Sequence, residues 1–302
     1  MKDLRIFDVS TYIHAGKVNR RSFLQAPLLE RDDMYVERRL YTGGTSFLWN
    51  TIYEVYGTAD LVFCCDTRPT VKQSMYGYYK GSRAHDDGVS KQKRIAEYIL
   101  RDCGLEVLKE DGYEADDFIY SVVRDKKREY DHIYIYTADS DLYFLVSDNV
   151  TVLPSSSRAK MVTKDNYTYT AGKKDSYTPY NSMTFSKILF GDSSDDIPPL
   201  PADTINMLHD LLWKDPYFKV MGDKETILQI LTPFGEEVVN QCNLVFPMDM
   251  RVPEEFSNGD KIRIAEWGNA MNNKLWRSSQ PVSQHIKDCI LDMCDLGYYS
   301  EE

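Results

Sequence analysis

Short apolar runs alternate with stretches of helical periodicity along the first 150 residues of the chain. Strand-like runs occur at residues 5–7, 61–65, 105–108, 132–136 and 150–153, and helical periodicity at residues 44–56, 89–103 and 115–128. Strands that alternate with helices in this way pair in parallel, and the helices then cover both faces of the sheet. The pattern therefore predicts an α/β fold built on a central, mostly parallel sheet.

The second half of the chain has a different pattern. A polar stretch rich in Tyr, Thr and Lys covers residues 155–180, and short helices are predicted at residues 182–190, 204–213, 224–231 and 236–246. Residues 250–276 look irregular, and residues 282–295 suggest a closing helix. We therefore expect an α/β domain over residues 1–180 and a helical region with a C-terminal tail over residues 181–302.

Composition narrows the class of protein. The chain is 42% hydrophobic and 13% aromatic, which is enough for a packed core and excludes a mainly disordered chain. No apolar run approaches the length that spans a bilayer, and charges interrupt the N-terminus before a signal-peptide core could form. Six scattered cysteines without a pairing rhythm suggest reduced core thiols. We expect a soluble, cytoplasmic protein with no membrane partner.

The net charge of −11 argues against nucleic-acid binding only weakly, because basic residues are clustered. Only Asp86 and Asp87 accompany seven cations in one short segment: Arg68, Lys72, Lys80, Arg83, Lys91, Lys93 and Arg94.

Aspartates follow three of the predicted strands. Asp8 ends the first strand, Asp66 the second, and Asp139 and Asp141 follow the fourth. In a parallel sheet these ends share one edge, where open α/β sheets place their sites. A single aspartate there is often only a helix cap. Four of them repel one another unless a cation lies among them.

Two further acidic clusters add to this set. Glu114, Asp116 and Asp117 open a helix, where the helix dipole alone would account for one or two acids. Glu114 and Asp117, at positions i and i+3, share a face and could present oxygens to one ion. Asp192 and Asp195 lie in a segment that, taken alone, reads as a polar turn with a helix cap.

Oxygen ligands without His or Cys select hard cations such as Mg²⁺ or Mn²⁺ over zinc. Mg²⁺ usually needs only one or two protein carboxylates, so nine carboxylates favour two ions. Two-metal sites suit in-line phosphoryl displacement. Calcium storage is the main chemical alternative, but it prefers ligands within one local loop, whereas these are spread from Asp8 to Asp195.

The order of these motifs resembles the 5′-nuclease (flap endonuclease) superfamily. That family includes bacteriophage 5′–3′ exonucleases, phage-type ribonuclease H and the 5′-nuclease domain of DNA polymerase I. The likeness covers about residues 1–246. It implies a PIN-like nuclease domain over residues 1–180, with a helical arch, and a helix-hairpin-helix-like region for DNA binding after residue 181. It also implies cleavage near 5′ ends of DNA flaps, nicks or RNA primers.

By motif match, the resemblance implies two Mg²⁺ ions, with Mn²⁺ able to substitute. The first ion would be held by Asp66, Glu114, Asp116 and Asp117, and the second by Asp139, Asp141, Asp192 and Asp195, with Asp8 beneath both. The implied catalytic set is Asp66, Asp116, Asp117, Asp139, Lys80 and Arg83.

The segment from Tyr79 to Arg83 resembles the family's Tyr-Lys-x-x-Arg at the base of the arch. The resemblance implies that Lys80 and Arg83 hold the scissile phosphate, although the segment also reads as a solvated basic loop. The implied nucleic-acid contacts are Lys72, Tyr79, Lys80, Arg83, Lys91, Lys93 and Arg94. Tyr76, Tyr78 and Tyr79 could stack on bases or pack internally.

One segment departs from the family pattern. Pro199, Ala202 and Thr204 stand where the family has glycines, Asn206 replaces a Lys, and Asp203 adds negative charge. Proline removes an amide donor, and Ala and Thr resist positive φ. We therefore expect no ordinary phosphate and monovalent-cation site in this hairpin. Duplex binding would then be weak or delegated to a partner, such as a single-strand-binding or other replication protein.

Three alternatives remain beside a DNA 5′-nuclease in a bacterial or phage-infected cytosol. The first is an RNA-directed ribonuclease of the same fold, since scissile-phosphate chemistry barely depends on the sugar. The second is a catalytically silent protein that binds branched DNA or scaffolds replication. The third, a phosphatase, more often has an Asp-x-Asp pair after its first strand, whereas Asp8 is followed by Val9 and Ser10.

Overall fold

The structure is a computed structural model of the 302-residue chain. It describes residues 2–19, 23–24, 29–31, 34–36, 40–83, 86–154, 161–164, 182–214, 224–271 and 282–298. Most of the polar stretch at residues 155–180 lies outside the described residues.

A five-stranded sheet forms the centre of the molecule, and all of its strand pairs are parallel. The strand order is β7-β6-β1-β8-β9. The strands are β1 (Leu4–Asp8), β6 (Asp60–Cys64), β7 (Glu106–Leu108), β8 (Ile133–Tyr136) and β9 (Val150–Leu153). All five were predicted, and the predicted fold class is confirmed. Two small antiparallel pairs were not predicted: β2 (Phe23–Leu24) with β5 (Leu40–Tyr41), and β3 (Leu29–Arg31) with β4 (Met34–Val36).

Helices connect and cover these strands. In the first half they are α1 (Val9–Asn19), α2 (Gly43–Val55), α3 (Thr70–Met75), α4 (Asp87–Asp102) and α5 (Ala115–Lys126). In the second half they are α6 (Ser182–Phe190), α7 (Ala202–Lys214), α8 (Lys224–Leu231), α9 (Glu236–Val245), α10 (Lys261–Ala270) and α11 (Gln284–Asp295). None of the described helices is long and apolar enough to cross a membrane.

Helix α10 corrects the expectation that residues 250–276 are irregular. Asp260 caps it by accepting the backbone N–H of Ile262, and Ile264 and Trp267 are fully buried. Its apolar periodicity is weak because only a few of its positions face the core. Packing against the rest of the protein therefore stabilises the helix more than local pattern does.

Alternate residues of the central strands enter two hydrophobic cores, one on each face of the sheet. Ile6 and Val62 belong to one core, whereas Phe7 and Phe63 belong to the other. This alternation follows from the period of two along a strand, and it explains why the strands are apolar throughout. Both cores include residues from before and after residue 180, so the C-terminal helices pack on the α/β unit. The functional division at residue 180 stays a prediction.

The order of the strands decides where the site lies. β1 is central, the chain continues to β6 on one side of it, and it later places β8 on the other side. Open α/β sheets form their ligand crevice at such a reversal, outside the carboxyl ends of the strands. Asp8, Asp66 and Asp139 follow these three adjacent strands and therefore meet there.

Candidate active site

An open cavity of about 730 Å³ lies at the carboxyl edge of the sheet. Eight of the nine predicted carboxylates line it: Asp8, Asp66, Glu114, Asp116, Asp139, Asp141, Asp192 and Asp195. Cationic residues, including Lys80, Arg83 and Lys187, line the same cavity. The site thus combines a dense carboxylate cluster with a few cations.

Asp8 forms the floor of the cavity and is 5% exposed. Its carboxylate accepts hydrogen bonds from the backbone N–H of Thr11, at 3.2 Å, and from the hydroxyl of Thr137, at 2.8 Å. Burial, and then the neighbouring charge of Asp66, raise the pKa of Asp8 despite these bonds. A nearby cation would relieve both effects.

Asp66 is held by three donors. Its oxygens accept hydrogen bonds from the Ser10 hydroxyl, from the Ala115 backbone N–H at 2.8 Å and from Lys93 Nζ at 3.2 Å. Burial alone would raise the pKa of Asp66, but Lys93 and these hydrogen bonds bring it below the ordinary value. Asp66 is therefore a fixed, ionised carboxylate at the start of α5.

Glu114 is the N-cap residue of α5 and is surrounded by donors. Its carboxylate pairs with Lys80 Nζ, accepts the Tyr79 hydroxyl at 2.8 Å and lies 3.5 Å from Lys72 Nζ. Burial opposes ionisation, but Lys80 and then Lys72 lower the pKa of Glu114. The negative charge of Glu114 is therefore balanced within the protein.

Asp117 is the one predicted ligand that lies outside the cavity lining. One oxygen accepts the Glu114 backbone N–H at 2.9 Å, and the other accepts the Met248 backbone N–H at 2.6 Å. The residue is 1% exposed. This corrects the expectation that Glu114 and Asp117 present oxygens to one ion, because the Asp117 carboxylate is committed to capping α5 and anchoring residue 248.

Asp116 is the least neutralised acid of the cluster. Within the described part of the chain no donor hydrogen bonds to its carboxylate, which faces Asp139, Asp8 and Glu114. Burial, followed by the charges of Asp139 and Asp8, raises its pKa well above the ordinary value. Asp139 is similar, because burial is the main cause that raises its pKa and Asp8 adds to it.

Asp141, Asp192 and Asp195 form a compact trio. Each offers a carboxylate oxygen within 4.8 Å of the other two. Lys187, on α6, pairs its ammonium group with both Asp141 and Asp192. Burial, followed by the charge of Asp139, raises the pKa of Asp141 to about 6. Sequence reasoning missed Lys187, since a lone lysine in a helix carries no signal.

Lys80 and Arg83 lie between the two groups of acids. Lys80 Nζ pairs with Glu114 and lies 3.5 Å from Asp195, and Arg83 pairs with Asp195. Burial would lower the pKa of Lys80, but Glu114 and Asp195 raise it above the ordinary value. Both side chains reach the cavity from the turn at residues 76–83, and their contact with the scissile phosphate stays a prediction.

Two predicted nucleic-acid contacts are buried instead. Tyr79 is 2% exposed and donates its hydroxyl to Glu114, so its ring is not a surface on which bases could stack. Lys72 is 5% exposed and lies between Glu114 and Asp117, which assigns it to charge balance. Tyr78, at 46% exposed, is the tyrosine of this segment that solvent reaches most.

A second cavity, of about 720 Å³, lies on the other side of the Lys80–Arg83 turn. It shares Asp66 and Glu114 with the first cavity. Its cations are Arg68, Lys80, Arg83, Lys93, Arg94 and Lys109. Lys93 and Arg94 thus lie in a basic groove next to the acids, whereas Lys91 is partly buried on α4 and does not line either cavity.

A match to a family model identifies this arrangement. Residues 12–172 match the model of the 5′-3′ exonuclease N-terminal resolvase-like domain, which covers more than half of the chain. The chain belongs to the 5′-3′ exonuclease family.

Relatives in this family differ in how much of their length the chain covers. It is 27% identical over 242 residues to a 5′-3′ exonuclease of Aquifex aeolicus, which covers 78% of this chain and 76% of that protein. It is 34% identical over 138 residues to DNA polymerase I of Mycobacterium tuberculosis, which covers 45% of this chain and 15% of the polymerase. The chain thus spans about 15% of the length of the DNA polymerases it matches.

Solved structures of the 5′-3′ exonuclease fold support the same architecture. A phage T5 protein co-crystallised with metal ions matches with a TM-score of 0.52 at 14% identity, over 98% of this chain and 99% of that one. The phage T5 flap endonuclease in a pseudo-enzyme-product complex with DNA and metal ions matches with a TM-score of 0.51, also at 14% identity, over 97% of this chain and all of that one. At this identity the matches show a shared fold.

The donor set of this 5′-3′ exonuclease family member fits divalent metal ions. The trio of Asp141, Asp192 and Asp195 supplies three oxygens within reach of one ion, and Asp116 lacks a protein donor in the described residues. Carboxylate oxygens make up most of the donor set, although His14 also lines the cavity, and such oxygens suit hard cations. The acids on the sheet side, Asp8, Asp116 and Asp139, have raised pKa values of the kind that a bound cation reverses.

The hairpin between α6 and α7 contains the segment in which other residues replace the family's glycines. Gly191 and Asp196 have positive φ, but no described residue from 197 to 206 does. Asp203 lies in the first turn of α7, where it faces the positive end of the helix dipole. The absence of a phosphate and monovalent-cation site here stays a prediction.

Proposed function

We propose that this protein is a divalent-metal-dependent 5′-nuclease that acts as a 5′–3′ exonuclease or flap endonuclease. Its substrates would be phosphodiesters near the 5′ ends of DNA flaps, nicks or RNA primers in replication or repair, in a bacterial or phage-infected cytosol. The observation that supports this most is the convergence of eight carboxylates on one cavity that Lys80 and Arg83 also line.

Two Mg²⁺ ions are the cations that this donor set suits best, with Mn²⁺ able to replace them. Asp66, Glu114 and Asp116 would hold the first, and Asp139, Asp141, Asp192 and Asp195 the second, with Asp8 beneath both. When bound, the pair would supply Lewis acidity and positive charge beside the scissile phosphate.

Lys80 and Arg83 would bind the phosphate. Both are engaged with Glu114 or Asp195 in the structure, so their charges already point into the cavity. A phosphate oxygen that enters between Glu114 and Asp195 would compete with them for Lys80 and Arg83. If a bound cation neutralised either acid, its partner cation would be free to bind the phosphate. Positive groups held in place beforehand stabilise developing charge without further reorganisation.

The basic groove beyond the Lys80–Arg83 turn would carry the strand that leads to the cleaved bond. Arg68, Lys93 and Arg94 line it and offer a track for phosphates. The altered hairpin at residues 198–206 would contribute little duplex affinity, so a single-strand-binding or other replication protein is the proposed partner.

Cleavage of a 5′-labelled flap duplex tests the proposal. Purified protein is incubated with the flap duplex or with an RNA-primed duplex, in Mg²⁺ and in EDTA. We expect Mg²⁺-dependent cleavage that Asp116→Asn reduces at least about a thousandfold, since it removes a charge of the kind that a metal site requires. The RNA-primed duplex shows whether an RNA 5′ end is also accepted.

The matched control is Asp125→Asn, which neutralises an exposed acid on the same helix α5 and leaves the cavity unchanged. Equal cleavage by Asp116→Asn and wild type would exclude the proposed site. No cleavage by folded wild-type protein in Mg²⁺ or Mn²⁺ would favour a silent DNA-binding protein.

A further inference from the structure

A second cluster of metal-binding residue types lies where the C-terminal helix α11 packs on α4. Asp102 is the last residue of α4, and His285 and Cys289 are one turn apart on α11. The spacing of i and i+4 places the histidine and the cysteine on one face of the helix. None of the three residues lines the carboxylate cavity.

The three ligand atoms converge. His285 Nε2 lies 2.9 Å from Asp102 Oδ1 and 3.4 Å from Cys289 Sγ, and Sγ lies 3.8 Å from the same Oδ1. Zinc bond lengths with tetrahedral angles put such atoms about 3.3 to 3.6 Å apart. The nitrogen–sulfur distance falls in this range, whereas the nitrogen–oxygen distance is shorter and the sulfur–oxygen distance longer, so small side-chain shifts would bring the three atoms to the corners of a zinc site.

The orientation of His285 distinguishes a metal site from a catalytic triad as the interpretation of this cluster. In a triad the imidazole uses one nitrogen for the carboxylate and the other for the nucleophile. Here the same atom, Nε2, faces both Asp102 and Cys289. A nitrogen that points at the space between a carboxylate and a sulfur is oriented as a metal ligand.

Neighbouring groups hold the carboxylate in place. Trp267 Nε1, on the buried face of α10, donates to Asp102 Oδ2 at 2.7 Å. Such a bond orients a ligating carboxylate and leaves the other oxygen for the ion. Cys289 is 4% exposed, whereas the side chain of His285 is 36% exposed, so solvent can reach a fourth position.

We infer that Asp102, His285 and Cys289 form a binding site for a divalent cation of borderline softness, of the Zn²⁺ class. One sulfur, one nitrogen and one oxygen ligand favour such a cation over Mg²⁺, which the carboxylate cavity suits. The ion would tie α11 to α4. Lys93, near the middle of α4, contacts Asp66, so the site would brace the helix that supports the basic groove.

Cobalt titration tests this site directly. Co²⁺ is added to the full-length protein with saturating Mg²⁺ present to fill the carboxylate cavity. A thiolate ligand produces a near-ultraviolet sulfur-to-cobalt band that carboxylates cannot produce. We expect this band at one equivalent, its displacement by Zn²⁺, and a higher thermal midpoint in Zn²⁺.

Two variants and one control interpret the result. Cys289→Ser should abolish the band, and His285→Ala, at a position that is only partly buried, should weaken Zn²⁺ binding at least about tenfold. Cys294→Ser removes an equally buried cysteine from the same helix and should keep both the band and the affinity. A wild-type protein without the band, or a band unchanged in His285→Ala, would show that the three residues form only a hydrogen-bonded contact.

Discussion

Lys187 organises the acids on the helical side of the cavity. Its ammonium group lies between Asp141 and Asp192, and its side chain is 20% exposed. Burial would lower the pKa of Lys187, but the two aspartates raise it, so the residue stays charged. Lys187 thereby offsets the repulsion between the two aspartates. Without Lys187, a bound metal cation alone would have to offset that repulsion.

Replacing Lys187 by Met should therefore disturb the metal site while keeping most of the side-chain volume. We expect flap cleavage at saturating Mg²⁺ to fall about ten- to a hundredfold, because groups that orient ligands contribute about that much. Lys187→Arg should restore part of the activity. Mg²⁺ titrations of flap cleavage measure the effect, and exposed Lys261→Met on α10 is the control. An unchanged rate and Mg²⁺ dependence would show that Lys187 only fills space.

At the scale of elements, two turns are clamped together to place the ligands. Lys80, itself at a positive φ of 49°, donates its backbone N–H to the Asp195 carbonyl at 2.9 Å. Asp196 accepts both the backbone N–H and the hydroxyl of Ser82 at 2.8 Å. Asp196 has φ of 57°, a conformation that Asp and Asn tolerate better than most residues. The turn at residues 191–197 therefore positions Asp195 and the Lys80–Arg83 turn as one unit.

Gly191 is the first residue of the turn at residues 191–197, and Gly191→Ala should be strongly destabilising. Its φ is 73°, and an added Cβ would lie 2.3 Å from the Ile197 carbonyl oxygen and 2.6 Å from the Pro198 carbonyl carbon. We expect a loss of about 2–4 kcal/mol in the free energy of unfolding and a parallel loss of cleavage.

Urea denaturation measures this loss against Gly57→Ala. Gly57 has a similar φ of 79° but no atom within 4 Å of the added Cβ, so it isolates the conformational cost of about 1 kcal/mol. A Gly191→Ala variant no less stable than Gly57→Ala would contradict the proposed clash.

At the scale of the whole molecule, negative charge is concentrated rather than spread. The chain has a net charge of −11, and eight of its carboxylates share one cavity with four lysine or arginine side chains. Asp8, Asp116, Asp139 and Asp141 all have raised pKa values, chiefly because they are buried. Without a bound cation, keeping these buried acids ionised costs free energy, first through their burial and then through their mutual repulsion.

The cost of ionising these buried acids predicts an unusual pH dependence of stability. Acids with a raised native pKa stabilise the fold below their unfolded value, near 4, and that stabilisation is lost as the pH rises through the native value, about 6 for Asp141. Asp66 and Glu114, whose pKa is lowered, are ionised in both states above about pH 5 and add no slope. The thermal midpoint in EDTA should therefore fall between about pH 5 and pH 8.

Saturating Mg²⁺ should reduce that fall, because a cation bound only by the native state favours the ionised acids. Asp141→Asn should flatten the EDTA profile, whereas exposed Asp125→Asn should leave it unchanged. Thermal denaturation across the pH range provides the measurement. A midpoint in EDTA that rises with pH would show that the acids are neutralised within the protein.

The linear order of the residues determined the fold class and most of the site. Short, continuously apolar runs specified buried parallel strands, and Asp8, Asp66 and Asp139 follow these strands in the chain. Since parallel strands end at a common edge, adjacency in the sheet brings these acids together whatever the details of packing. Lys80, Arg83 and the remaining acids were assigned to the same site by the resemblance of their motifs to the 5′-nuclease superfamily.

Only the tertiary structure decided where individual side chains point and what neutralises them. Asp117 turns to the backbone of Met248, Tyr79 is buried against Glu114, and Lys187 reaches Asp141 and Asp192. Asp102 meets His285 across 183 positions of the chain. Periodicity records which face of an element is buried, but such contacts join residues far apart in the chain. They depend on how whole elements pack, which no local pattern encodes.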